Sequence, residues 1–227
     1  MNRKIVIAID GPAGVGKSSV GKIFASSINY RFISSGKMYR ALAYKALAEG
    51  VSPQDEKSLL SLAMESSWEF RQKEGPEPVL YLDGKPLDRE LADENIGKAT
   101  SSVARLVLVR DFLVKKQREI GSGGGIVMEG RDIGTNVFPD SPLKFYLDAS
   151  PQARAERRVL QLREAGLVAD YEEILKMIIA RDAQDSQRKH NPLKRAADAV
   201  YIDSTGINRE EVCRLMLEAF HKVAGGK

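Results

Sequence analysis

The chain has 227 residues and a mass of 25.0 kDa, 43% hydrophobic and 29% charged, a balance that suits one sizeable buried core and excludes a disordered chain. Against 31 Asp and Glu, 35 Lys and Arg leave a formal charge of +4 and a pI near 9.1, so anionic ligands suit the chain while bulk nucleic-acid binding is not demanded. The single cysteine, Cys213, excludes an internal disulfide and a cysteine-rich metal site and fits a reducing, cytoplasmic compartment; no apolar run approaches the roughly 20 residues of a membrane helix.

Lys4 to Ile9 reads as a strand, its apolar run too short for a signal peptide and leading straight into a glycine loop. Further short apolar runs at Arg31–Ile33, Ile126–Met128, Leu143–Leu147 and Ala199–Ile202 read as buried parallel strands. Helical spacing falls at Ser18–Ile28, Lys37–Ala48, Val103–Ile120, Gln152–Ala165, Tyr171–Gln187 and Arg209–Val223. The alternation predicts a doubly wound α/β fold. Trp68–Arg71 and Val79–Leu82 predict an antiparallel hairpin, with Asp83-Gly84 as a turn, inside a module of about Ser61 to Ile96 inserted into a single folding unit. Gly121 to Gly125 reads as a flexible link. Trp68 is expected to anchor the insert, and His190 and His221 have no metal-ligand companions.

Gly11-Pro12-Ala13-Gly14-Val15-Gly16-Lys17-Ser18, followed by Ser19, matches G-x-x-x-x-G-K-[ST] between a strand and a helix. Its glycines let backbone N–H groups face phosphate oxygens, Lys17 reaches the β- and γ-phosphates, and Ser18 is expected to ligate magnesium. The loop implies ATP with Mg2+, and the lack of an Asn-Lys-x-Asp guanine motif makes small-molecule kinases the leading class. Ser34 to Arg40 follows the second strand and Glu129 to Thr135 the third, so both segments are expected beside the loop. Arg181, Asp185 and Arg188 share one helix face, and Arg154, Arg157 and Arg158 lie together on the preceding helix. A kinase for another small acceptor and a nucleic-acid-dependent ATPase are the rival readings.

Gly11 to Ser19, Ser35-Gly36 with Met38-Tyr39-Arg40, Gly130 to Thr135 running into Val137-Phe138-Pro139-Asp140, and Arg181 to Arg188 together resemble the bacterial cytidylate kinases over nearly the whole chain. The resemblance implies a P-loop nucleoside monophosphate kinase fold with a five-stranded parallel sheet, a lid near residues 151–166 and a large α+β insert. It implies that Ser35, Arg40 and Arg131 hold the acceptor phosphate, that Arg181 lies beside phosphate and sugar, and that Asp185 binds sugar hydroxyls. Ser101, Arg110, Asp132 and Arg188 would read the base, and Lys17, Arg131, Arg154, Arg157 and Arg158 would neutralise the transferring phosphoryl group. The implied partners are ATP and CMP or dCMP, with no nucleic acid and no membrane, in a monomer.

Two residues depart from the family pattern, Ser34 where an acid is usual and Lys37 where a small residue is usual; Lys37 is expected to point to solvent. Ser101 and Arg110, nine positions apart, would lie on opposite faces of one helix, so joint base reading predicts a break near Ala104 to Leu106.

Overall fold

The computed structural model describes residues 4–225. In chain order it runs β1 (Val6–Asp10), α1 (Lys17–Ser27), β2 (Arg31–Ser34), α2 (Ser35–Ala48), α3 (Glu56–Glu65), β3 (Trp68–Arg71), β4 (Val79–Leu82) and β5 (Lys85–Leu87). A 3₁₀ turn at Arg89–Ala92 leads to α4 (Glu94–Val103), α5 (Val107–Gly121) and β6 (Ile126–Glu129). A π-helical turn at Ile133–Val137 precedes β7 (Leu143–Asp148), α6 (Pro151–Glu164), α7 (Tyr171–Ser186), β8 (Val200–Asp203) and α8 (Arg209–Ala224).

The main sheet is five-stranded and parallel in the order β2-β6-β1-β7-β8. Its strands read as continuous apolar runs because helices cover both faces. Ile7, Ile9, Phe32, Val127 and Phe145 face α1 and α8, meeting Phe24, Val212 and Met216, while Ala8, Ile33, Ile126 and Met128 face the other way toward Val114 of α5. Phe24 packs edge-on to Phe145, 5.7 Å between ring centres, which locks α1 onto the sheet.

The small antiparallel sheet holds β3-β4-β5, one strand more than the expected hairpin. The three-residue β5 contains Pro86 and carries too little alternation to be read as a strand. Trp68 anchors the unit as expected, its indole N–H donating to Ala63 O at 2.9 Å. Helices α3 and α4 add to the expected list. Each begins at an aspartate cap, Asp55 accepting from Ser58 N and Asp93 from Asn95 N and Ile96 N, so their signal was present.

The helix expected at Val103–Ile120 starts only at Val107, and the chain breaks at Ala104–Leu106 as the Ser101–Arg110 argument requires. The Gly121 to Gly125 link is not flexible. It is a fixed turn in which Gly124 N donates to Gly121 O, Gly125 N to Ile5 O, and Arg31 N to Gly125 O. A side chain at Gly124 would place Cβ 2.0 Å from Lys4 O. The glycines serve close packing there and not looseness.

At Gly21 α1 lies close against the sheet: a Cβ would fall 2.4 Å from Phe32 Cε2 and 3.3 Å from Ile9 Cδ1. Gly21→Ala gains up to about 1 kcal/mol of helix propensity. Overpacking against fully buried rings costs about 1–3 kcal/mol and is expected to win. Thermal melting should show a lower Tm, and an unchanged or raised Tm would contradict this account of the helix–sheet contact.

Candidate active site

The loop from Gly11 to Gly16 leaves β1 at the sheet centre. Gly14 and Gly16 take φ of 77° and 95°, the left-handed conformation that turns successive N–H groups to one side. The Lys17 ammonium is buried and donates to Gly11 O at 2.9 Å and Pro12 O at 2.7 Å. Burial, then the neighbouring Arg131 charge, push Lys17 down to about 7.

Helices α1 and α2 begin with no side chain accepting from their first N–H groups. By contrast, α3, α4, α6, α7 and α8 are capped by Asp55, Asp93, Ser150, Asp170 and Asn208, and Leu108 N of α5 donates to Glu56. Ser34, at the cap position of α2, turns its hydroxyl away and donates to Glu129 Oε1 at 2.6 Å. Ser18 donates to the same oxygen at 3.0 Å. The two helices that open beside the crevice thus keep bare positive ends for anions. Glu129 was not singled out from sequence as a site residue; a lone acid at the end of a parallel strand beside a phosphate loop was the available signal.

Behind the crevice, buried Asp10 accepts from Ile133 N at 2.8 Å and Gly134 N at 2.7 Å. This fixes the π turn that follows Arg131 and Asp132. Burial pushes the Asp10 carboxyl up to about 6 against the pull of those two donors.

The expected acceptor residues converge. Arg131 Nε donates to Asp185 Oδ2 at 2.9 Å, Arg188 Nη2 lies 3.9 Å from Asp185 Oδ1, and Arg40 Nη1 donates to Leu91 O at 2.7 Å. Burial and then Arg131 hold the Arg181 guanidinium below its ordinary range; burial and then Arg158 do so for Arg40, and burial and then Arg110 for Arg188. Burial opposes ionisation of Asp185, but Arg131 and Arg188 outweigh it and hold the carboxyl down. These arginines therefore press on one another with few carboxylates between them. Ser35 is buried at the start of α2, against Gly130, where a Cβ would sit 2.7 Å from Ser35 Oγ.

Beside this cluster lies a buried pair, Arg110 Nη2 donating to Asp132 Oδ2 at 2.6 Å. The break in the chain serves it directly, because Ala104 O accepts from Arg110 Nη1 at 3.1 Å. Among the described residues Arg110 Nε and Arg188 Nη2 are buried without a hydrogen-bond acceptor, and such donors call for a ligand acceptor. Ser101 lies against α7, the helix of Arg181 and Asp185, its carbonyl accepting from Gln184 Nε2 at 3.4 Å while its hydroxyl donates to Gly97 O.

The three arginines of α6 part company. Arg154 is buried and bonded to Ala149 O, Ala13 O and Asp182; Arg157 donates to Ser204 Oγ and O; Arg158 is exposed, and its charge is felt at Arg40. Lys37 does not point to solvent: its ammonium pairs with Glu77 at 2.9 Å and Asp88 at 3.2 Å, since the insert folds back over the first turn of α2. Among the described residues no cluster of three or more His, Cys, Asp or Glu could hold a metal by itself, and no helix is long and apolar enough to cross a membrane.

A phosphate loop, an arginine cluster and an adjacent Arg–Asp pair on one crevice describe a two-ligand kinase site, and the family model of cytidylate kinase matches residues 7–222. The chain belongs to the cytidylate kinase family. It is 45% identical over 208 residues to the cytidylate kinase of Alkaliphilus oremlandii (strain OhILAs), covering 92% of this chain and 94% of that protein. To the cytidylate kinase of Geobacillus thermodenitrificans (strain NG80-2) it is 42% identical over 228 residues, covering 99% of this chain and all of that one, 100%. A gluconokinase from Sinorhizobium meliloti 1021 is similar in fold alone, with 15% identity and a TM-score of 0.50 over 100% of this chain and 97% of that one.

Two outcomes follow from the site. Phosphate oxygens beside Lys17 raise its proton affinity from the depressed value of about 7, so ADP binding at pH 8 should take up close to one proton. Calorimetry in buffers of differing ionisation enthalpy measures it, and uptake near zero would contradict a lysine depressed in the free enzyme. Asp10→Asn turns an amide donor toward one of two backbone donors; a stability loss of about 1–3 kcal/mol is expected in denaturant titration, with a raised KM for the acceptor. Wild-type stability and KM would contradict the role of Asp10.

Proposed function

We propose that the protein transfers the γ-phosphoryl group of ATP to the 5′-phosphate of CMP or dCMP, giving ADP and CDP or dCDP, as a step of pyrimidine nucleotide metabolism. The observation that carries this reading is the buried Arg110–Asp132 pair beside the arginine cluster, facing the same crevice as the phosphate loop. Cytosine offers an amino donor at N4 beside acceptors at N3 and O2. A carboxylate at Asp132 and unpartnered guanidinium donors on Arg110 and Arg188 complement that pattern, and uracil reverses it at N3 and position 4.

In this reading Gly11 to Ser19 hold the triphosphate, and Ser35, Arg40 and Arg131 hold the acceptor phosphate with Arg181 beside it. Asp185 receives the sugar hydroxyls, and Ser101, Arg110, Asp132 and Arg188 read the base. Lys17, Arg131 and Arg158 neutralise charge on the transferring group, while Arg157 acts from the lid. Magnesium fits the oxygen donors at hand, because Ser18 gives its proton to Glu129 and keeps its lone pairs for a cation; when bound, it neutralises and orients polyphosphate oxygens. The acceptor phosphate is already a competent nucleophile, so positioning and charge neutralisation suffice without an obligatory general base. The small sheet within residues 61–96 serves as the monophosphate insert and residues 151–166 as the lid of one kinase unit. The reading also makes the enzyme a cytoplasmic monomer, which the buried lone thiol of Cys213 suits.

A coupled ADP-release assay across CMP, dCMP, UMP, AMP and GMP tests the proposal. One reversed, buried polar contact costs about 1–3 kcal/mol, so kcat/KM for CMP and dCMP should exceed that for UMP by about tenfold or more. Equal turnover of UMP and CMP at subsaturating concentrations would overturn the base assignment.

A further inference from the structure

Arg154 is a lid arginine by position, yet its guanidinium is taken up by protein acceptors. Only 2% of the residue is exposed. Its Nε donates to Ala149 O at 2.9 Å, Nη1 to Ala13 O at 3.1 Å and Asp182 Oδ1 at 3.0 Å, and Nη2 to Asp182 Oδ2 at 2.5 Å. The bidentate fork on Asp182 pairs its charge and fixes its plane. A guanidinium bound in this way offers little to a transferring phosphoryl group.

Ala13 O is informative because of the peptide that carries it. In a planar trans peptide the carbonyl of Ala13 and the N–H of Gly14 point in opposite directions. A donor that holds Ala13 O on the outside of the loop therefore holds Gly14 N–H toward the inside, where phosphate oxygens lie. Gly14 has no side chain to fix that rotation, its φ is 77°, and the stem of Arg154 packs under it, 3.7 Å from where a Cβ would stand. Asp182 lies on α7 beside Arg181, with Asp185 one turn further along, so the same arginine joins the donor loop to the helix that carries acceptor contacts.

We infer that Arg154 is a positioning residue which, clamped by Asp182, sets the Ala13–Gly14 peptide of the phosphate loop, and that it is not a clamp on the transferring phosphoryl group. The inference rests on the reading of Gly11 to Ser19 as the nucleotide loop.

The test is direct binding of ADP, by calorimetry on the full chain, set beside steady-state kinetics for Arg154→Met, Arg154→Lys and Asp182→Asn. Losing a charged hydrogen bond that orients the loop should weaken ADP by about tenfold to a hundredfold in Arg154→Met, with KM for ATP rising in parallel and kcat falling less than about fivefold. Asp182→Asn should move ADP affinity in the same direction by a smaller factor, and Arg154→Lys should recover only part of it, because an ammonium lacks the planar fork. A transition-state clamp would show the opposite division: kcat down about a hundredfold or more in Arg154→Met with ADP affinity intact, and Asp182→Asn neutral or faster. That result overturns the inference. Should Arg154→Met fail to fold, Asp182→Asn decides it, since unchanged ADP affinity in that variant also overturns the clamp. Failure of the unmodified protein to bind ADP would instead overturn the loop reading itself.

Discussion

The crevice is organised by positive charge taken out of water in excess of what the protein neutralises. Lys17, Arg40, Arg181 and Arg188 are each held below their ordinary proton affinities by burial and, as the next influence, by a neighbouring arginine. Gathering such groups costs folding free energy unless an anion completes them. Asp185 relieves part of this by accepting from Arg131 and lying near Arg188. The remainder is a standing field for anions.

Everything that surrounds the crevice holds that field in place. Bare helix ends at α1 and α2 add partial positive charge: the cap position of α1 is Gly16, which has no side chain, and Ser34 at that of α2 gives its proton to Glu129. Asp10 fixes the turn after Arg131, and the chain break at Ala104–Leu106 supplies the carbonyl that steadies Arg110. The sheet provides the rigidity, with Ile7, Ala8 and Ile9 fully buried directly before the loop. The loop, whose positive φ angles fall on Gly11, Gly14 and Gly16, is carried by the central strand of the sheet.

Most of the fold was legible because its signals are local. Apolar runs bounded by glycine and polar turns give the five parallel strands to within one or two residues, and the phosphate loop is fixed by spacing alone. The break before α5 was legible for a different reason, since two residues required on one side cannot share a straight helix. What escaped was non-local or very short. Nothing in Lys85–Leu87 announces a third strand, because three residues have no period until β4 pairs with them. Gly121 to Gly125 looks like a loose linker in composition, yet Phe138 and the backbone of Lys4 and Ile5 close around it. Of the arginines on α6, the spacing fixed a shared helix, whereas burial and partner choice separated Arg154 from Arg158.

The two departures from the family pattern resolve into the same electrostatic logic. An acid at position 34 would stand against Glu129, two carboxylates contending for the proton of Ser18; the Ser34 hydroxyl instead donates to Glu129 and leaves a single negative group there. At Lys37 an added cation in the first turn of α2 would deepen the surplus, but Glu77 and Asp88 take it up, and Glu77 also pairs with Lys22 of α1. The segment that carries Glu77 touches the sheet as well, Pro76 O accepting from Phe32 N of the edge strand β2 at 2.8 Å. One short stretch between β3 and β4 thus covers an open sheet edge and binds the second turn of α1 and the first turn of α2. In this chain Lys37 adds no charge to the pocket and serves as the point where the insert is fastened to the core.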